Sequence, residues 1–152
     1  MSELNFKTDF GIIITAYKQI KLCQETIINF RNNFKVLNQN PIIVVSTSEV
    51  DCGFKEFEKS FPNVYVIRFY KANPIERVFH DDLWLVRRIL TSIRLGFLKL
   101  DKLNVKYALH LHSDTSWNAS KENVLLSYIQ DVHENKSFLV QIPDPTGTQI
   151  RL

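Results

Sequence analysis

The sequence predicts an α/β domain with a mainly parallel sheet and flanking helices. Three observations predict it. Short continuous apolar runs rich in β-branched residues suit strands covered on both faces. Stretches with apolar residues three and four apart suit helices between them. The two kinds of segment alternate along the chain, which implies right-handed β-α-β crossovers.

The first run is Phe10-Gly11-Ile12-Ile13-Ile14, ending at Thr15-Ala16-Tyr17. Ile20, Cys23, Ile27, Phe30 and Phe34 then share one face of a helix predicted over residues 18 to 36, which Asn38-Gln39-Asn40-Pro41 stops. Ile42-Ile43-Val44-Val45 is a second buried strand, closed by Ser46-Thr47-Ser48-Glu49. A short amphipathic piece carrying Phe54, Phe57 and Phe61 leads through Pro62-Asn63 into a third strand, Val64 to Phe69. After a polar loop from Lys71 to Asp82, a second long helix is predicted from Leu83 to Leu100. Its core face is read as Val86, Ile89, Leu90, Ile93, Phe97 and Leu100, with Arg87, Arg88, Ser92 and Lys99 off that face. Tyr107 to His112 is a fourth strand with Ser113-Asp114-Thr115-Ser116-Trp117 as the loop at its end. A third helix carrying Val124, Leu125, Tyr128, Ile129 and Val132 is expected to begin at Asn118 or Ser120 as N-cap, and Ser137 to Ile142 to form a fifth strand.

Length and composition narrow the function. At 152 residues the chain is read as a single domain, with no linker or repeat to split it. Four scattered glycines, Gly11, Gly53, Gly96 and Gly147, make neither G-x-G-x-x-G nor a Walker A loop, which excludes P-loop NTPases and glycine-rich dinucleotide sites. The net charge of +3 comes from interspersed residues without a basic arm, so no nucleic-acid partner is expected. Cys23 and Cys52 are the only cysteines, the first nine residues lack an apolar signal core, and no apolar stretch approaches the ~20 residues of a membrane span. The expectation is a cytoplasmic protein with reduced, buried thiols and no transmembrane segment.

In a parallel sheet ligands bind beyond the carboxyl ends of the strands. That rule selects Thr15-Ala16-Tyr17, Ser46-Thr47-Ser48 and His112-Ser113-Asp114. A period of two along an extended strand would put His110, His112 and Asp114 on one side. Imidazole and carboxylate both ligate divalent metals, so one reading is a metal-dependent hydrolase using these three residues. Another is a single carboxylate, Asp114, holding Mn²⁺ or Mg²⁺ against a diphosphate, because a hard cation of that kind needs only one or two carboxylates beside phosphate oxygens and water. A third leaves His110 packed in the sheet and Asp114 capping a turn.

The pieces Ile12 to Tyr17, Ile42 to Ser48, the helix closing on Ile93-Arg94-Leu95-Gly96-Phe97, and Tyr107 to Asp114 together resemble the nucleotide-sugar-binding half of GT-A-fold glycosyltransferases, in order and spacing, over residues 9 to about 118. The resemblance implies a Rossmann-like GT-A architecture and places Thr15, Ala16 and Tyr17 at the nucleotide base, with the Tyr17 ring available for stacking. Ser46 stands where that family usually has an Asp contacting base or ribose. Asp114 matches the last acid of the family's D-x-D, and His112 replaces the first. These two residues would hold the metal, Mn²⁺ or Mg²⁺. Arg87 and Arg88 either reach the diphosphate as planar donors or lie on a solvated helix face; of the two, Arg88 is carried forward as a nucleotide-binding residue. Trp117 is either part of a sugar platform or an anchor for its loop.

The implied activity is transfer of a sugar from a nucleotide-diphosphate donor to the hydroxyl of an acceptor saccharide or other hydroxyl compound. Only 38 residues follow Asp114, so the family's acceptor-binding part is expected to lie outside this stretch. The later acids Glu122, Asp131, Glu134 and Asp144 form no recognisable base motif, and no catalytic residue is named. The alternative to an enzyme is a catalytically silent GT-like interaction domain, to which Ser46 and His112 both point.

Overall fold

The computed structural model describes residues 3–48, 52–69, 81–117 and 121–135, with side chains omitted over 81–85. Of the loop expected from Lys71 to Asp82, all but its last two residues lie outside the described residues, and Asp81 and Asp82 belong to a helix instead; the two N-cap candidates Asn118 and Ser120 and the expected strand Ser137 to Ile142 also lie outside. The elements run β1 (Phe10–Ala16), α1 (Ile20–Asn33), β2 (Ile42–Ser46), a 3-10 turn (Phe54–Glu56) leading into α2 (Phe57–Ser60), β3 (Val64–Arg68), α3 (Asp81–Asp101), β4 (Tyr107–His112) and α4 (Glu122–Asn135). Each strand predicted within these residues is present to within a residue or two. At α4 the Lys121 carbonyl accepts the first helical hydrogen bond, from Leu125 N–H at 3.0 Å.

All described strand pairs are parallel, in the order β3-β2-β1-β4. This is a Rossmann-like α/β arrangement. The chain first moves outward from β1 to β3 and then returns past both to β4. Right-handed crossovers running in opposite directions must lie on opposite faces. Accordingly Cys23, Ile27 and Phe30 of α1 and Phe57 of α2 pack with Ile12, Ile14 and Val44 on one face. Leu95 and Leu100 of α3 pack with Ile13, Ile43 and Val45 on the other. Leu125 and Ile129 of α4 join the α1 face, where the Tyr107 hydroxyl meets His133 Nδ1 at 2.8 Å.

One expectation holds only in part. On the face of α3 turned to the sheet Leu100 is buried as expected and Ile89 and Ile93 are half-buried, but Ser92 and Gly96 are buried there too, while Val86, Leu90 and Phe97 are about half exposed. The cause is close approach. A Cβ on Gly96 would lie 2.6 Å from Cγ2 of Ile13, and one on Gly11 would lie 2.6 Å from Cδ2 of Leu100. Over Ile13 the sheet supplies the bulk, so the helix offers Ser92 and Gly96 there, and Val86, Leu90 and Phe97 are turned outward. Ser92 hides its hydroxyl on its own helix by donating to the Arg88 carbonyl at 2.7 Å.

Candidate functional site

The direction of travel across the sheet reverses between β1 and β4, and the crevice at their carboxyl ends is where open α/β sheets take ligands. Register places Thr15 beside His112 and Ala16 beside Ser46, so the three segments selected from sequence do meet at one edge. Ser46, Thr47 and Ser48 are all buried. Thr47 N–H donates to the Ala16 carbonyl at 2.9 Å, and Ser48 Oγ accepts from Lys18 N–H at 2.7 Å. Lys18 sits at φ +53°, in the left-handed region, as the chain turns from β1 towards α1. These bonds tie the β1 and β2 ends together. Ser46, beside them, is buried in the floor of this edge.

Tyr17 stands on this edge, 38% exposed. Arg88 Cζ lies 5.0 Å and Lys18 Nζ 5.1 Å from the centroid of its ring, within cation–π range. Arg88 also donates to the Thr47 carbonyl. Of the adjacent residues Arg87 and Arg88 on α3, Arg88 is half-buried and turned to the site, and Arg87 is exposed. The result is a positively charged edge built around one exposed aromatic ring.

On the β4 side, Thr15 Oγ1 lies 3.0 Å from His110 Nε2, and the His110 and His112 rings are 5.2 Å apart between centroids. Burial, and secondarily the neighbouring His112, pushes the His110 pKa down to about 4. His110 is therefore neutral at pH 7. A base whose folded pKa lies below its unfolded value binds fewer protons when folded, so its contribution is fully present above pH 6.5 and is lost as pH falls towards 4. Because the ring keeps some solvent contact, the expected loss across that window is on the order of 2 kcal/mol. Urea unfolding of wild type and His110→Gln at several pH values checks it: if the two lose stability in parallel between pH 7 and 4, His110 is not responsible.

The expected triple of His110, His112 and Asp114 is not assembled. The strand's period of two stops at His112, and Ser113-Asp114 form a turn. His110 and His112 share the α3 face, whereas Asp114 lines an open hollow of about 440 Å³ against α1, with Glu25, Asn32 and Ser116. Among the described residues no three His, Cys, Asp or Glu side chains converge as a metal set. Asp114 itself is exposed.

The loop after β4 is held by polar residues of α1 that the hydrophobic pattern passes over. Thr26 Oγ1 lies 2.9 Å from the carbonyls of both Ser113 and Thr115 and shares its one proton between them. Asn29 accepts from Trp117 N–H at 2.8 Å and donates to its carbonyl at 3.1 Å. The Ser113 hydroxyl donates to Gln19 Oε1 at 3.2 Å. The available signal was that Thr26 and Asn29 stand three residues apart beside the Cys23, Ile27, Phe30 stripe, a place for polar groups only if they have partners. Thr26→Val, which keeps shape and removes the donor, is expected to cost about 1–3 kcal/mol in chemical unfolding. An unchanged midpoint would show that the hydroxyl holds nothing.

Cys23 and Cys52 form no disulfide; Cys23 is buried, which pushes its thiol up to about 12, and Cys52 is half-buried rather than buried as expected. Comparison with protein-family models, with curated proteins and with solved structures finds no match to this chain.

Proposed function

We propose that the carboxyl edge of β1, β2 and β4 binds the nucleotide part of a nucleotide-diphosphate sugar, as the donor site of a GT-A-like glycosyltransferase. The observation that carries this reading is the convergence on Tyr17: an exposed ring at the switch point, flanked by Arg88 from α3 and Lys18 from the β1 turn. A base stacking on Tyr17 displaces one of these cations, which then meets the diphosphate. Thr15 and Ala16 line the strand end beneath it. With so few glycines, phosphate is held by side chains and a cation rather than by a glycine-rich loop of amides. The exposed Asp114 carboxylate fits a hard cation such as Mn²⁺ or Mg²⁺, sharing it with phosphate oxygens and water. His112 belongs to the other face and is left out of that set. When bound, the cation would neutralise charge on the leaving diphosphate; an acceptor hydroxyl would then take the sugar.

The test is thermal melting with UDP, GDP and their sugars, with and without Mn²⁺. A rise in midpoint with one nucleotide is expected, lost in Tyr17→Ala, and reduced to its metal-free size in Asp114→Asn. No shift with any nucleotide removes the donor-site reading. The separation of His112 from Asp114 favours a second reading, a GT-like interaction domain that uses no metal. A nucleotide shift indifferent to Mn²⁺ and to Asp114→Asn is the result that would select against metal-assisted transfer and for that reading.

A further inference from the structure

The two cations beside the Tyr17 ring belong to opposite layers of the fold. Lys18 stands in the turn from β1 into α1, with its ammonium 5.1 Å from the ring centroid. Arg88 comes from α3, on the other face of the sheet, with its guanidinium carbon 5.0 Å from the same centroid. Arg88 is half-buried and donates to the Thr47 carbonyl, so drawing it off the ring would also strip that carbonyl of a donor. Lys18 is exposed, and its ammonium rides on a flexible four-carbon stem. Its backbone lies at φ +53°, in the left-handed region that glycine enters without steric cost and lysine does not. The bond from its N–H to Ser48 Oγ at 2.7 Å holds the turn in that shape. Strained residues of this kind gather at ligand clamps.

We infer that Lys18 takes the second phosphate of the nucleotide and makes the site select diphosphates over monophosphates, while Arg88 stays on the Tyr17 ring as a positioning residue. The assignment rests on the donor-site reading above and decides which of the two cations meets the diphosphate. With the base on Tyr17, the diphosphate runs towards the carboxylate that shares its metal, and Asp114 lines the hollow against α1. Lys18 is on that side. Gln19, next to Lys18, accepts from the hydroxyl of Ser113, next to Asp114, at 3.2 Å, so one hydrogen bond joins the neighbours of the two charged residues. Arg88 approaches from the far face and is held at Thr47. The lysine ammonium follows the phosphate as a point charge, and the arginine keeps the ring oriented for the base.

Titration calorimetry of the whole chain without divalent cations, with UDP against UMP and GDP against GMP, tests this. Wild type is expected to bind one diphosphate about tenfold more tightly than its monophosphate. Lys18→Ala should abolish that preference and leave monophosphate binding close to that of wild type. Arg88→Ala should weaken both nucleotides alike and keep the preference, and Arg88→Lys, which retains a cation for the ring, should recover most of the loss. Lys18→Gly also releases the backbone strain, so its urea midpoint should rise while the preference disappears, a split that a merely structural lysine would not give. A preference that survives Lys18→Ala, or that Arg88→Ala removes, overturns the assignment. So does a wild type that binds monophosphate and diphosphate equally, or a Lys18→Gly variant that loses preference and midpoint together. Wild type that binds none of the four nucleotides removes the donor-site reading itself, and the assignment with it.

Discussion

Gly96→Val is expected to lower the unfolding free energy by about 3 kcal/mol, because side-chain atoms are forced into a well-packed interface. The first added carbon already meets Ile13 at 2.6, 2.8 and 2.9 Å from Cγ2, Cγ1 and Cδ1, and Ile13 is fully buried in the middle of the sheet with no room to withdraw. Helix propensity works the other way, since glycine is the poorer helix former, but by no more than about 1 kcal/mol even for alanine. The clash therefore wins for valine and, by a smaller margin, for Gly96→Ala, whose Cβ makes the same contacts. Urea denaturation followed by circular dichroism measures the difference. The decisive comparison is the double-mutant cycle with Ile13→Ala. That change has its own cost but opens the space, so Gly96→Val should cost clearly less in its background. Equal costs in both backgrounds would mean that helix and sheet are not in the contact described.

Trp117→Ala is expected to cost about 3 kcal/mol, at the lower end for removal of a large aromatic because the side chain is only partly buried. Its ring meets Phe30 and Phe34 edge-on at 5.7 and 5.0 Å between centroids, while Phe30 and Phe34 stack on each other at 4.6 Å. Trp117 thus anchors the loop after β4 to the core of the α1 face, which settles its two sequence-level alternatives in favour of the anchor. Trp117→Phe should recover more than half of the loss. If Trp117→Ala left the urea midpoint in place, the ring would be making no net contribution and the loop would be held by its hydrogen bonds with Gln19, Thr26 and Asn29.

The sheet was legible because fully covered parallel strands must be apolar on both sides, and β1 and β2 are buried along almost their whole lengths. The α1 stripe was legible for the same reason at helical period. The orientation of α3 was legible only in part. Periodicity identifies a sheet-facing side only where the helix supplies the bulk, and here Ile13, Ile43 and Val45 supply it while Ser92 and Gly96 yield. At the site, the rule of strand ends found the β1, β2 and β4 termini, since it needs topology alone. The period of two did not extend to Asp114, because alternation of side chains holds only as long as the strand does. Arg88 reaches Tyr17 from an element distant in sequence, and no local pattern distinguishes it from Arg87. Nothing in spacing marks Ser46 as floor rather than wall; its burial follows from the bonds that tie β2 to β1.

Hydrogen bonds with Gln19, Thr26 and Asn29 fix the stretch from Ser113 to Trp117 along one side of α1. A loop so held has little conformational entropy left to lose. Whatever settles beside Asp114 gives up its own translational and rotational freedom but does not have to order the protein as well. Arrival at this side of the crevice is then governed by diffusion and charge rather than by waiting for the loop, and the ligand's residence time by how well its own shape matches a surface already set.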